Sequence, residues 1–234
     1  MKKIFLSTLA LAVASALASP PPASVADFDI EGFKLGMSEK EAIALLKEKC
    51  TNGNFDVESK KARGYDVVHS KQFYCRRIDT KEDINLIVHD KVDVIISERN
   101  IDYPDNLPDT DKKTFLENIY AKLLEKYGTP THEAPKGKDS KIDYINGDFD
   151  IAACWGDCSL EKGYSYTLHA GKDLFAAGGV DNAGPWARIH RVLADPKAVK
   201  AADEAFEKAI EAAKNQEAEA AKQQAQQATE NIKF

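Results

Sequence analysis

Apolar residues in this 234-residue chain pass twice from a helical to an extended period, and that alternation limits the available folds more than any single motif. The first ordered stretch runs from Phe28 to Cys50 and turns helical at Ser38. Ser38 and Glu41 form a capping box, Met37 is placed to staple onto Ala42, and Ala42, Leu45 and Leu46 share a face while Lys40, Lys47 and Glu48 turn outward. Asn52-Gly53 marks the exit. After residue 64 the period falls to two: Tyr65, Val67, His69, Phe73 and Cys75 alternate with polar residues, with Ser70-Lys71 as a bend, followed by Ile84, Leu86, Val88 and by Val92, Val94, Ile96.

From Thr110 the helical period returns in Phe115, Leu116, Ile119, Tyr120, Leu123, Leu124 and Tyr127; Gly128 supplies a left-handed cap and Pro130 stops the helix. Strands are expected around Ile142 and Tyr144, then Phe149 to Ala153 beyond an Asn146-Gly147 hairpin, then Tyr164 to Leu168. The glycines between Gly171 and Gly184 predict a loop or an irregular edge, and Trp186 to Leu193 a last strand. The expectation is an α+β fold of two helix-plus-antiparallel-meander units, α-β-β-β-α-β-β-β, with a C-terminal helix.

The termini add an address and a tail. Lys2 and Lys3 precede an apolar run from Ile4 to Ala18 that ends Ala16-Leu17-Ala18, the pattern of a secretory signal peptide (residues 1–18) cleaved after Ala18. A membrane anchor is the competing reading, disfavoured by the short run and by Ser19-Pro20-Pro21-Pro22 directly after it. No cysteine stands at the cleavage point to carry lipid, and no uncharged run of membrane length occurs beyond residue 18, so a soluble exported protein with no membrane span is expected once the leader is removed. Residues 19–27 read as a Pro-rich tether, 28–193 as the α+β domain with tandem units 28–100 and 110–193 as one division, and 194–234 as an Ala/Gln/Glu/Lys-rich helical tail. Asp195-Pro196 opens that tail; Val199, Ala202, Phe206, Ala209 and Ile210 give it a narrow apolar stripe, which predicts a docked first half and an exposed or frayed second half. A coiled-coil arm is disfavoured because the large residues stop too early.

Export changes how the four cysteines read. In an oxidising compartment Cys50, Cys75, Cys154 and Cys158 are expected as two disulfides. Three pairings exist; proximity along the chain favours Cys50 with Cys75, tying a helix end to a strand, and Cys154 with Cys158, closing a small loop. Cys154-Trp155-Gly156-Asp157-Cys158 has one residue too many for thioredoxin-type chemistry, and no histidine lies within four residues of any cysteine to suggest zinc.

Chemistry is thinly signalled. With 43% hydrophobic and 30% charged residues the chain belongs to the globular class, and a net charge of −6 argues against nucleic acid and anionic membranes as partners. Ser159 lacks a nucleophile elbow, and Ser159 with Lys162 lacks partner motifs. His69, His89, His132, His169 and His190 are scattered, with His69, His89 and His169 reading as surface strand residues. Asp148 and Asp150 read as a solvated hairpin face, and Asp102, Asp105, Asp109 and Asp111 as a linker without calcium-loop spacing. No catalytic residue, cofactor or metal is expected. Trp155, Tyr164, Tyr166 and Trp186, aromatics near expected loops, are the candidate interface residues.

The Gly36-Met37-Ser38-x-x-Glu41-Ala42 opening, the Lys126-Tyr127-Gly128-x-Pro130 helix exit and the strand reaching Trp155-Gly156-Asp157 resemble exported bacterial proteins with the fold of β-lactamase inhibitor proteins and the small outer-membrane assembly lipoproteins, over residues 28 to 170. That resemblance implies a binding module, not a particular target. The expected function is therefore an exported, periplasmic, non-catalytic binding or inhibitor-like protein acting on a protein partner in the bacterial envelope. An envelope hydrolase, or a stress or assembly factor that recruits through the helical tail, are the alternatives.

Overall fold

The computed structural model describes residues 24–50, 53–133, 140–142, 145–161, 165–167 and 173–230. The leader and residues 19–23 lie outside the described residues. The end of the tether is not extended: Val25–Asp27 form a single 3-10 turn, and Val25 packs against the core.

Helix α1 (Glu39–Lys49) starts at the foreseen capping box. The Glu41 N–H donates to Ser38 Oγ (3.3 Å), and the Ser38 N–H donates to the Glu41 carboxylate (2.9 Å). Four antiparallel strands follow, β1 (Gly53–Lys61), β2 (Val68–Arg77), β3 (Glu82–Val88) and β4 (Val92–Asp102). The sequence reading missed β1, whose Gly-Asn-Phe-Asp-Val-Glu-Ser-Lys-Lys composition is too polar for a half-buried strand. It also placed a bend at Ser70-Lys71, which instead lie within β2.

Helix α2 (Asp109–Tyr127) buries Leu116, Ile119, Tyr120, Leu123 and Tyr127; acidic Asp109 and Asp111 complement its N-terminus, and Gly128, at φ +79°, lets the chain leave at the end. The second half of the chain supplies β5 (His132–Glu133), β6 (Ser140–Ile142), β7 (Ile145–Phe149), β8 (Ile151–Gly156), β9 (Ser159–Glu161), β10 (Ser165–Thr167), β11 (Phe175–Asn182) and β12 (Trp186–Ala194), before α3 (Pro196–Glu230). The Asn146-Gly147 hairpin does not form. Ile142 stands opposite Ile145, so the chain reverses before Asn146, and both residues fall inside β7.

Strands from both halves build one eight-stranded sheet in the order β1-β2-β3-β4-β12-β11-β8-β5; β6, β7, β9 and β10 form a separate four-stranded sheet. The two helix-and-meander units thus share a sheet, joined where β4 pairs with β12. The Gly-rich segment expected as a loop or edge is β11, a central and buried strand. A Cβ on Gly178 would stand at ordinary contact distance, 3.5 Å from the Leu123 side chain and 3.8 Å from the Trp155 ring, so this strand passes directly beneath α2 with room for little more than a methyl group.

The sheet has two unlike faces. One, under α1 and α2, holds the main core with Phe33, Phe73, Ile84, Leu86, Ile95 and Leu193, and within it Arg191 ion-pairs the wholly buried Glu82, which also accepts from Ser97 Oγ (2.7 Å). The other carries a smaller cluster, Val94, Ala152, Cys154, Phe175, Ala177 and Val192, with Val199 of α3 against it. Helix α3 is 35 residues long, about 52 Å at 1.5 Å per residue. Its contact stripe is Val199, Ala202, Phe206, Ile210 and Ala213; from Lys214 to Thr229 every residue is exposed.

Candidate functional site

Both cysteine pairs expected from proximity are present, Cys50–Cys75 with Cα atoms 6.1 Å apart and Cys154–Cys158 with 6.4 Å. They brace opposite faces of the sheet, the first in the main core and the second in the smaller cluster.

Beneath the first turns of α3, two β-bulges gather a cluster of histidines and aspartates. In the β1–β2 ladder Lys60 faces Ser70 while Lys61 faces Val68, so His69 is the extra residue. In the β3–β4 ladder Ile87 faces Val94 while Val88 faces Val92, so Asp93 is the extra residue. A bulge breaks strict alternation and re-aims the inserted side chain. His69 accordingly joins Ser70 on the α3 side, and the buried Asp93 reaches His89, whose Nδ1 lies 2.7 Å from Asp93 Oδ2. His69 Nε2 stands 2.6 Å from Asp203 Oδ1 of α3, and its Nδ1 is 3.3 Å from Ser70 Oγ. The rings of His69 and His89 meet edge-on at 5.0 Å, and Phe206 of α3 covers His69 at 4.7 Å.

Glu58, Lys60, His69, Gln72, His89 and Asp203 line a cavity of about 320 Å³ here. The His89 side chain is only 8% exposed. With Asp93 accepting a hydrogen bond from Nδ1–H, the His89 Nε2 offers a lone pair that no group among the described residues uses. A carboxylate that orients an imidazole is the arrangement of a general base, and Asp203, His69 and Ser70 stand in the order of orienter, base and hydroxyl. No grouping of three or more His, Cys, Asp or Glu suited to a metal ion occurs among the described residues.

The reading of His69 and His89 as surface strand residues is therefore corrected: both are mostly buried. His190, scattered in sequence from the others, is also enclosed, and burial lowers its pKa to about 3, with Arg188 adding to the effect.

A second feature lies toward the other end of the same face. Arg76, Arg77, Ile78, Lys81, Asp83 and Trp186 border a hollow of about 510 Å³. Trp186 opens β12 opposite Asp102 and is 37% exposed, and Ile78, just past β2, is 67% exposed. Ion pairs fix the charged rim. Arg76 grips Asp83 through two hydrogen bonds of 2.8 Å, Lys81 reaches Asp102 at 2.5 Å, and Arg77 is held by Glu82 and Glu31 at 3.3 and 3.4 Å. Directly opposite Asp83 in the β3–β4 register, the half-buried Glu98 has its pKa raised, chiefly by desolvation.

Of the four aromatic residues expected at an interface, Trp186 alone is described at the surface. Trp155 is corrected to a core residue: it is 4% exposed, packs on Phe28 and Tyr127, and donates its Nε1–H to the Gly128 carbonyl (2.9 Å). The cause is strand parity, which points Trp155 toward α2 and its neighbour Cys154 the other way. Tyr164 lies outside the described residues, and of Tyr166 only the backbone is described, in β10. Asp150 is exposed and accepts the Asn182 N–H (2.9 Å), tying β11 to the turn before β8.

No protein-family model, curated protein or solved structure matches this chain.

Proposed function

We propose that the protein is exported to the bacterial periplasm and acts there as a non-catalytic binding protein, holding a protein partner at the surface around Trp186. The observation that carries this reading is a tryptophan left half-exposed on a rigid strand, beside an exposed isoleucine and within a rim of arginine and lysine. Buried core strands give such an anchor its fixed geometry, so little side-chain entropy is lost on docking, and Trp and Arg are the residues on which interfaces concentrate their energy. Two disulfides suit an oxidising compartment, and the Lys2–Ala18 segment supplies the route.

The test is capture from periplasmic extract by the unreduced protein and by its Trp186→Ala variant in parallel. A partner retained by the first and lost at least tenfold by the second supports the reading; equal retention, or retention that disappears when the chain is cut after Ile210, moves the contact to α3.

The row Asp203, His69, Ser70 favours one second reading, an envelope hydrolase. It requires Ser70 to be labelled by a fluorophosphonate and a Ser70→Ala chain to lose ester turnover. Under the binding reading neither label nor turnover is seen.

A further inference from the structure

We propose that two copies of this chain associate through β1, edge to edge and antiparallel, with Ser59 on the two-fold axis, fusing their sheets into one. The observation is the contrast between the two borders of the eight-stranded sheet. Among the described residues one ends in β5 (His132–Glu133), and the other in β1, 9 residues long and paired on one side only. A long free edge presents a row of unused donors and acceptors, which soluble proteins ordinarily shorten or cover. Here it also carries surface apolar groups, Phe55 and Val57 at 37% and 45% exposure.

The backbone fixes which residues could pair outward. Val57 donates its N–H to the carboxylate of its own neighbour Asp56 (2.8 Å), which marks Val57, and with it Ser59 and Lys61, as the residues whose polar groups face away from β2. An antiparallel copy centred on Ser59 sets Ser59 opposite Ser59 and Val57 opposite Lys61, so the Val57 N–H exchanges the Asp56 carboxylate for the second copy's Lys61 carbonyl and the other outward groups meet their counterparts.

Charge selects this register. Centring on Val57 would place Asp56 opposite Glu58 twice, and centring on Glu58 would place two carboxylates face to face; directly opposed like charges are unfavourable. Centring on Ser59 opposes Glu58 and Lys60 twice, with Asp56 diagonal to Lys60. The complement that this edge calls for is thus its own sequence read backwards. The pairing is independent of the Trp186 surface, which lies on β12 in the middle of the sheet.

The experiment is sedimentation velocity on the full exported chain over a concentration series. The unaltered protein is expected to dimerise. Glu58→Lys and Lys60→Glu, both at exposed positions, should each raise the dissociation constant roughly tenfold or more. Mixing these two single variants should restore association as a heterodimer, because each then meets opposite charge across the axis; the double exchange in one chain should restore the homodimer. Ser59→Pro, which removes a central donor, should abolish it. A monomer at every concentration, or a dimer indifferent to both charge changes, or single variants that fail to combine, overturns the proposal; circular dichroism confirms that each variant is folded.

Discussion

The two faces of the eight-stranded sheet solve different problems. Under α1 and α2 the side chains are large and apolar, and the buried ionic group of Glu82 with Arg191 and Ser97 continues through Arg77 and Glu31 toward the surface. Under α3 the apolar cluster is small, and around it lie His69, His89, Asp93, His190 and the exposed Trp186. The first face holds the chain folded. The second carries titratable and surface groups because less of the stability depends on it.

The sharpest way to break that distinction is to compare the two tryptophans. Trp155→Ala removes a core ring and its hydrogen bond and should lower unfolding free energy by about 3–5 kcal/mol in urea titration. Trp186→Ala should change it by no more than about 0.5 kcal/mol. Equal losses would show that the second face is also structural.

The disulfides provide a graded version. Cys50–Cys75 spans 25 residues and Cys154–Cys158 spans 4. Loop entropy then puts replacement of the first pair by alanine at about 3.5 kcal/mol and of the second at about 2 kcal/mol, read as shifts in the chemical-denaturation midpoint.

Acid should act through the second face. His190 is held neutral with a pKa lowered to about 3, from 6.5, so between those values the unfolded chain binds a proton that the folded chain refuses. Its contribution to stability is complete above pH 6.5 and declines as the pH falls toward 3, with a slope of up to about 1.4 kcal/mol per unit. His190→Gln should flatten that part of the stability profile; an unchanged slope would assign the acid sensitivity elsewhere.

The smallest effect is expected at α3. Asp203→Ala or Phe206→Ala loosens its grip on His69, which should speed amide exchange between residues 196 and 213 while moving the global midpoint by about 1 kcal/mol or less. A large global loss would make α3 part of the core.

The first face was largely legible in the sequence, because helix and strand periods are written by the residues that pack there: Leu116, Ile119 and Leu123 on α2, and Ile84, Leu86 and Val88 on β3. Both cysteine pairings were legible too, from closeness along the chain. The second face was not. His69 and Asp93 owe their direction to bulges, which a period-two pattern does not record, and Asp203 reaches His69 across 134 positions of sequence. Gly178 misled for a related reason: its place beneath Leu123 of α2 is a tertiary fact, while its local signal is that of a turn. Trp155 was read from the loop beside it when strand parity decided its side.

Each bulge is a single surplus residue in an otherwise regular ladder, and the two surplus residues, His69 and Asp93, are the ones that reach Asp203 and His89. A chain lacking either is expected to pair those strands in plain alternation and to lose one partner from one of the two imidazole–carboxylate pairs, so the pocket's chemistry hangs on two single-residue irregularities of the sheet.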